Sequence, residues 1–479
     1  MSRYEALFGK QMIAGEWRAS LNEDVIAVEN PAARETVAHI PAGGMPDAER
    51  AIEAARLAFP TWAKTSLNER IRLMEKLHER LKSAADDIVC WETAELGMPR
   101  AYVRRKHCDY QLSRIPAYIE CVREIPFLSR RKSALVRIEP LGVIACLTPW
   151  NYPLGQIIQK VVPAILMGNT VVLKPSSLAP LTAVILAEAF REAGFPPGVF
   201  NLVNGAGARF GNIFTDHPDV TMISFTGSTE TGRLLAQRAG ATLKRTSLEL
   251  GGKSPFVWLP GADDYESACR TLFNSVFLNA GQTCTALSRL LIPESMKCEV
   301  EKLFLKLLPD YQVGLPDEPQ ALLGPVISRS QYERVSSYIR LGIAEGATLF
   351  AGDIPQDNPE DGWFIRPTVF TDVKNEMRIA QEEIFGPVLC VTTYKTREEA
   401  VRLANGTRYG LSSAVYGPKD EAEAFAEEID AGNVFINDAP RDITAPFGGF
   451  KESGIGYESG VEGLMTFARM KSVFDGRRS

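Results

Sequence analysis

Histidine is nearly missing from this chain. The 479 residues hold four, His39, His78, His107 and His217, and none sits at the spacing of a metal-ligand set, so no structural metal is expected. Cysteine is present but unpatterned. The eight, at positions 90, 108, 121, 146, 269, 284, 298 and 390, form no C-x-x-C pair and are far too sparse for a disulfide scaffold. A reducing cytoplasm fits them. An unbroken apolar run is also lacking. The most apolar stretch, residues 141–173, is interrupted by Pro149, Asn151, Pro153, Lys160 and Pro163, which excludes a membrane span there. The opening residues, Met1-Ser2-Arg3-Tyr4-Glu5, carry no apolar signal core. Positive charge is neither in excess nor massed: the net charge is −6, with lysines and arginines scattered. Nucleic acid is not an expected partner. Arg130-Arg131-Lys132 reads as a solvated turn. There is no low-complexity linker and no repeat of fixed period.

What is present is a long chain of ordinary globular composition, too long for one simple core, so two large domains are expected. Residues 46–120 read as helical. Ala51, Ala54, Ala55 and Ala58 recur at helical spacing, as do Ile71, Met74, Leu77 and Leu81, before Gly97 and Pro99 punctuate the run. Ala134–Ile138 reads as an exposed strand available for pairing with another subunit. From residue 141 strands and helices alternate. Strands fall at 141–147, 170–173, 199–203, 221–225 and 243–250, with a helix from Pro153 to Gly168, another between Pro180 and Gly194, and a third through 233–238. Short connections between alternating elements mean a doubly wound, mostly parallel sheet. A second series runs from Ser254 to Asn437, with helices near 263–279, 328–345, 396–405 and 419–430 and strands at 388–394, 412–416 and 434–436.

Several strand ends carry chemistry. Cys284 lies in Asn279-Ala280-Gly281-Gln282-Thr283-Cys284, and a lone carboxylate, Glu249, lies in Leu248-Glu249-Leu250-Gly251-Gly252-Lys253. A thiol is a soft nucleophile towards an aldehyde, and a separate carboxylate can activate water to clear a thioester. Pro149-Trp150-Asn151 offers a side-chain amide to an oxyanion. Lys174-Pro175-Ser176-Ser177 ends the next strand with a cation for a ribose or phosphate. Gly205-Ala206-Gly207-Ala208-Arg209-Phe210-Gly211 is spaced G-x-G-x-x-x-G, one residue longer than the dinucleotide fingerprint; alone it serves equally as a tight strand–helix turn. Gly227-Ser228 opens a helix whose amides suit a pyrophosphate or simply a cap. Gly251-Gly252-Lys253-Ser254 resembles the end of a phosphate-binding P-loop, but Ser247 stands where that motif needs its first glycine.

Together and in this order, TPWNYP, LKPSS, FTGSTETG, LELGGKSP, NAGQTC, EEIFGPV and PFGGFKESG resemble the aldehyde dehydrogenase superfamily over nearly the whole chain. The resemblance implies an α/β fold of two doubly wound domains plus a small β oligomerisation arm. Residues 1–120 and 141–250 would bind the dinucleotide, 251–463 form the catalytic domain, and 121–140 with 464–479 the oligomerisation segment of a homodimer or homotetramer. It implies Cys284 as nucleophile, Asn151 as oxyanion donor and Glu249 as base for the deacylating water. For the cofactor it implies Lys174 and Ser177 at the adenosine ribose and Gly207 and Gly211 at the adenine. Gly227 and Ser228 would meet the pyrophosphate, Glu383 the nicotinamide ribose, and Trp150 and Phe385 the nicotinamide end. The implied substrate is a small aldehyde.

The chain departs from the family pattern in three places. Ser177 stands where many NAD-type members carry a glutamate, which admits NADP beside NAD. Gln159 and Leu278 stand where succinic-semialdehyde members carry arginines, and Trp150 is the only tryptophan of its segment, so neither a charged anchor nor a betaine-type aromatic box is expected there. Arg469 stands where many relatives have a second glutamate; Arg469 and Arg441 could bind an anionic group, but both are expected to be solvated. Glu249 argues against a CoA-acylating relative, and intact Cys284, Glu249 and Asn151 against a silent, crystallin-like one.

Overall fold

A computed structural model of the chain describes residues 3–359 and 361–475. Residues 1–2 of the expected dinucleotide segment, 360 of the catalytic segment and 476–479 of the oligomerisation segment lie outside the described residues.

The run Val143–Leu147 is apolar on both faces, as a strand covered by helices on each side must be. It sits inside an eight-stranded sheet. Its parallel core runs, in spatial order, Phe200–Leu202, Thr170–Lys174, Val143–Leu147, Val220–Thr226 and Arg245–Glu249. Chain direction reverses its walk between Val143–Leu147 and Val220–Thr226, so a crevice opens beyond the carboxyl ends of those two strands, where open α/β sheets bind ligands. The two margins are antiparallel. An N-terminal hairpin, Gln11–Ile13 and Glu16–Arg18, closes one, and Gly454–Ile455 pairs with Leu248–Glu249 on the other. That last pair brings a C-terminal segment against Glu249.

Helix Pro153–Leu166 starts with proline, whose missing N–H costs nothing in a first turn, and every one of its residues is buried. Glu92 accepts the Leu154 amide (3.0 Å) at its N-terminus, and Glu95 accepts the Leu181 amide (2.9 Å) at the start of helix Leu181–Ala193. Two acidic side chains of helix Ala85–Leu96 thus meet the positive ends of two buried helices.

The second sheet has seven strands, in the order Thr348–Ala351, Thr368–Thr371, Val388–Tyr394, Arg289–Pro293, Pro255–Trp258, Ser412–Tyr416 and Asn433–Ile436, all parallel save the first. Helix Lys297–Leu307 and the N-terminal hairpins were not legible in the sequence, and the expected helix 263–279 ends at Phe277. The expected exposed strand is Ala134–Pro140. It is the middle of three, between Leu128–Arg131 and Ala468–Phe474, so its own edges are occupied. The free edges of that small sheet belong to its two neighbours. No helix among the described residues is long and apolar enough to cross a membrane.

Candidate active site

Helix Tyr265–Phe277 ends in a tight turn through Asn279, Ala280 and Gly281, at φ 56°, 51° and 71°. At Gly281 a Cβ would stand 2.1 Å from the Gly386 carbonyl, so only glycine fits that left-handed position. The turn delivers Gln282-Thr283-Cys284 to the junction of the two domains. Gly252 packs directly beneath: its Cβ would lie 2.4 Å from the Cys284 carbonyl oxygen. Asn151 Nδ2 donates to the Gln282 carbonyl (3.0 Å), and Asn279 Nδ2 donates to the Asn151 carbonyl (3.0 Å), which ties the end of the first sheet to the cysteine loop. One of the two N–H bonds of the Asn151 amide remains for another acceptor.

Cys284 is the only side chain common to two cavities. One is a cleft of about 230 Å³ walled by Trp150, Asn151, Gly227, Ser228, Glu383 and Phe385, at the sheet crevice. The other is a tunnel of about 380 Å³ walled by Tyr102, Tyr110, Tyr152, Gln156, Gln159 and Phe447, with three cationic side chains, Lys106, Arg114 and Arg441. A chain of hydroxyls runs along the tunnel, Tyr102 to Tyr152 (3.0 Å) and Tyr152 to Thr283 (3.0 Å).

In the cleft, the 13-residue helix Thr229–Ala241 points its N-terminus inward, with the Ser228 hydroxyl accepting the Thr231 amide (3.2 Å). The buried Thr226 hydroxyl has no partner. Glu383 accepts the Gly252 amide (3.1 Å), and Phe385, held at φ 60°, meets Trp150 edge-on at 5.4 Å. These free amides, the orphaned hydroxyl and the ring pair fit a dinucleotide. Lys174, Ser177, Gly207 and Gly211 are not in this cleft. They stand beyond the neighbouring strands Thr170–Lys174 and Phe200–Leu202, with Lys174 over the Phe210 ring and its pKa lowered to about 8 by burial.

Glu249 ends its strand almost fully buried, and neither carboxylate oxygen has a hydrogen-bond partner. Burial raises its pKa well above the usual carboxylate range, Glu458 adds to the rise, and Lys160 and Arg441 oppose it. Lys160 and Glu458 form a buried ion pair at 2.5 Å. Burial pushes the Cys284 thiol up to about 12, helped by Glu383 and Glu249 and opposed by Arg441. The second buried glutamate is therefore Glu458. Position 469 does not supply it: Arg469 lies exposed on the outer strand near Glu139, at 3.9 Å. The expectation for Arg441 is also corrected, since it is partly buried in the tunnel with its guanidinium 4.0 Å over the Phe447 ring. Trp150 stands in the cleft, and it is three tyrosines and Phe447 that make the tunnel aromatic. Sequence reasoning noticed Lys160 only as a break in an apolar run. A lone lysine amid that run was the available signal.

A cysteine shared by a cleft that fits a dinucleotide and a separate tunnel, beside two doubly wound sheets, defines an α/β protein with the layout of a two-substrate site. The chain belongs to the aldehyde dehydrogenase family: residues 17–473 match it. It is similar to aldehyde dehydrogenase C of Pseudomonas syringae, solved with NAD+ and octanal, at 41% identity and a TM-score of 0.95, covering 98% of this chain and 97% of that one. An aldehyde dehydrogenase of Mycobacterium tuberculosis, solved with NAD+, is 37% identical with a TM-score of 0.94, each chain covered to 98%. Betaine aldehyde dehydrogenase of Staphylococcus aureus, also with NAD+, is 34% identical with a TM-score of 0.93, covering 98% of this chain and 94% of that one.

Proposed function

We propose that this protein oxidises an aldehyde to the carboxylic acid, with Cys284 as nucleophile, Asn151 as oxyanion donor and Glu249 as base. The observation that carries this reading is the position of Cys284 as the single side chain open to both cavities. An aldehyde in the tunnel and a cofactor in the cleft then reach the same sulfur from opposite sides. The sulfur adds to the carbonyl carbon, and the oxyanion so formed takes the free N–H of Asn151 and the backbone amide of Cys284. Ser228, Glu383 and Phe385 would hold NAD+ in the cleft, where it would supply the acceptor for the hydride that leaves this carbon. Water then attacks the thioester carbon, Glu249 takes its proton, and the C–S bond breaks to return the thiol.

The raised pKa of Glu249 suits this role, because burial makes its carboxylate a stronger base towards water than an ordinary exposed one. The neighbouring Lys160–Glu458 pair acts on it in both directions, Glu458 raising its pKa and Lys160 lowering it after the larger effect of burial. NADP is admitted beside NAD, because Ser177 is neutral and short and follows Lys174, which ends its strand with a pKa lowered to about 8 by burial. The division into 1–120 with 141–250 and 251–463 is supported by one large sheet in each. A homodimer or homotetramer through 121–140 and 464–479 is supported by the exposed Leu128, Met470 and Phe474 on the small sheet. Eight unpaired cysteines support the cytoplasm.

The test is an aldehyde panel with NAD+ or NADP+, with and without CoA, and with the product identified. Acid must form without CoA, and Cys284→Ala must lose at least about a thousandfold in turnover. An acyl-CoA product, or an active alanine variant, overturns the reading.

A further inference from the structure

The tunnel is charged with one sign. Lys106, Arg114 and Arg441 line it, and among the described residues no aspartate or glutamate does. Among the described residues none of the three has a carboxylate within 4.0 Å, although the chain pairs most of its surface arginines. Arg114 is the most telling. It is 4% exposed, its Nε donates to Gln111 Oε1 (2.8 Å), and its Nη1 is buried without any hydrogen-bond partner. A buried guanidinium left with an unused N–H is costly, so such a group implies a ligand that completes it. Arg441 has only a long contact to the Ser459 hydroxyl (3.4 Å) besides the Phe447 ring beneath it. Burial lowers the pKa of Arg441, Arg114 adds to that by repulsion, and Glu458 opposes it from outside the tunnel.

We propose that the substrate is an aldehyde carrying a carboxylate at its far end, held in the tunnel by Arg114 and Arg441. This rests on the aldehyde oxidation proposed above. The guanidinium planes offer the forked N–H pairs that a carboxylate accepts. The Oε1 atoms of Gln156 and Gln159, also buried and unpartnered, add partial negative charge to the same wall, which suits a singly charged carboxylate better than a phosphate dianion. Aromatic walls alone would favour a quaternary ammonium group, but three cations lining the same space oppose one. The anchors differ from positions 159 and 278, where charged anchors were looked for in the sequence; they come instead from helix Arg114–Arg123 and the loop before Phe447.

Hexanal and adipic semialdehyde share a chain length and differ by the terminal carboxylate. The wild type is expected to show kcat/KM at least about tenfold higher for the semialdehyde, the worth of one or two charge-assisted hydrogen bonds. The ratio is formed within each protein, so a general loss of activity cancels. It is expected to fall towards one in Arg441→Gln and in Arg114→Gln, and to be partly restored in the lysine variants. Thermal unfolding of each variant checks that the fold persists. Binding of adipate against hexanoate, measured by calorimetry on the unmodified protein, reads the same site without turnover. A ratio near one in the wild type by both measures, a ratio unmoved by either substitution, or a preference for betaine aldehyde overturns the anion site. Failure to oxidise any aldehyde while adipate still binds preferentially would sink the catalytic reading and leave the anion site standing.

Discussion

Replacing Gly252 by alanine tests whether the position of Cys284 is set by the backbone beneath it. The added methyl would lie 2.4 Å from the Cys284 carbonyl oxygen and 3.4 Å from Leu411 Cβ, with Ser254 Oγ at 3.5 Å. It falls about 1 Å short of an ordinary contact on the cysteine side and has no slack on the other. Gly252 has no positive φ, so alanine brings no backbone strain, and the whole effect is collision. The cysteine loop must therefore move by about 1 Å. A shift of that size in a reacting group costs on the order of a hundredfold in rate, whereas overpacking a buried site costs roughly 1–3 kcal/mol of stability. The assay is kcat/KM from cofactor reduction, beside thermal unfolding. Gly240→Ala is the control: its methyl meets nothing within 4 Å inside helix Thr229–Ala241, and it should stabilise the fold by about 0.5–1 kcal/mol without touching the rate. A Gly252→Ala protein within threefold of the wild-type kcat/KM would refute the reasoning, because the loop would then be free to yield.

Four other outcomes are expected. Glu249→Gln should give one burst of reduced cofactor per active site and then stall; equal loss of burst and steady state would place Glu249 before hydride transfer. The same variant tests the linkage. Folding raises the Glu249 pKa, so its contribution is whole in acid and is lost as pH rises past the ordinary carboxylate range. The melting temperature of Glu249→Gln should accordingly gain on the wild type as pH rises above about 5, and a constant difference would deny the shift. Alkylation of Cys284 in the cofactor-free protein, followed on its own peptide because Cys90 and Cys298 are exposed, should rise about tenfold per pH unit from about pH 7 to 9. A plateau below that range would mean a thiol far more acidic than its surroundings allow. Ser177→Glu should raise KM for NADP by about ten- to a hundredfold and spare NAD; a wild type that already rejects NADP would show that another group blocks the phosphate.

The sheets were legible because their strands are short, continuously apolar and bounded by glycine and proline, as Val143–Leu147 and Thr170–Lys174 are. The hairpin at Gln11–Arg18 was not, since three-residue strands around Ala14-Gly15 carry no period to read. Cys284, Glu249 and Asn151 could be picked out by motif. Their electrostatic company could not. Glu458 reaches Glu249 through a two-residue strand, Gly454–Ile455, which leaves no trace in a hydrophobic pattern. The search for a second glutamate at position 469 failed for the same reason: counting along the tail cannot show that Ala468–Phe474 turns outward onto Ala134–Pro140. Arg114 and Arg441 belong to distant segments, and only the fold puts both in one tunnel.

Charge around Cys284 is divided by side, and the division bears on how the thiol ionises. Glu383 lines the cleft, Glu249 closes the strand beside it, and both hold the thiol up; Arg441, in the tunnel, is the group that lowers it. A buried ion pair such as Lys160–Glu458 is weak evidence of stability, because desolvating both charges costs about what their attraction returns. Its effect here is local. Burial is the main cause that holds Glu249 towards its neutral form; within the pair, Glu458 adds to that and Lys160 opposes it. In so buried a setting charges act at an effective dielectric far below that of water. A carboxylate that neutralises Arg441 would remove the one influence lowering the thiol, so an anionic substrate and an ionised cysteine compete for the same guanidinium. Arg114, buried with an unused N–H, shares the carboxylate with Arg441 and so eases that competition.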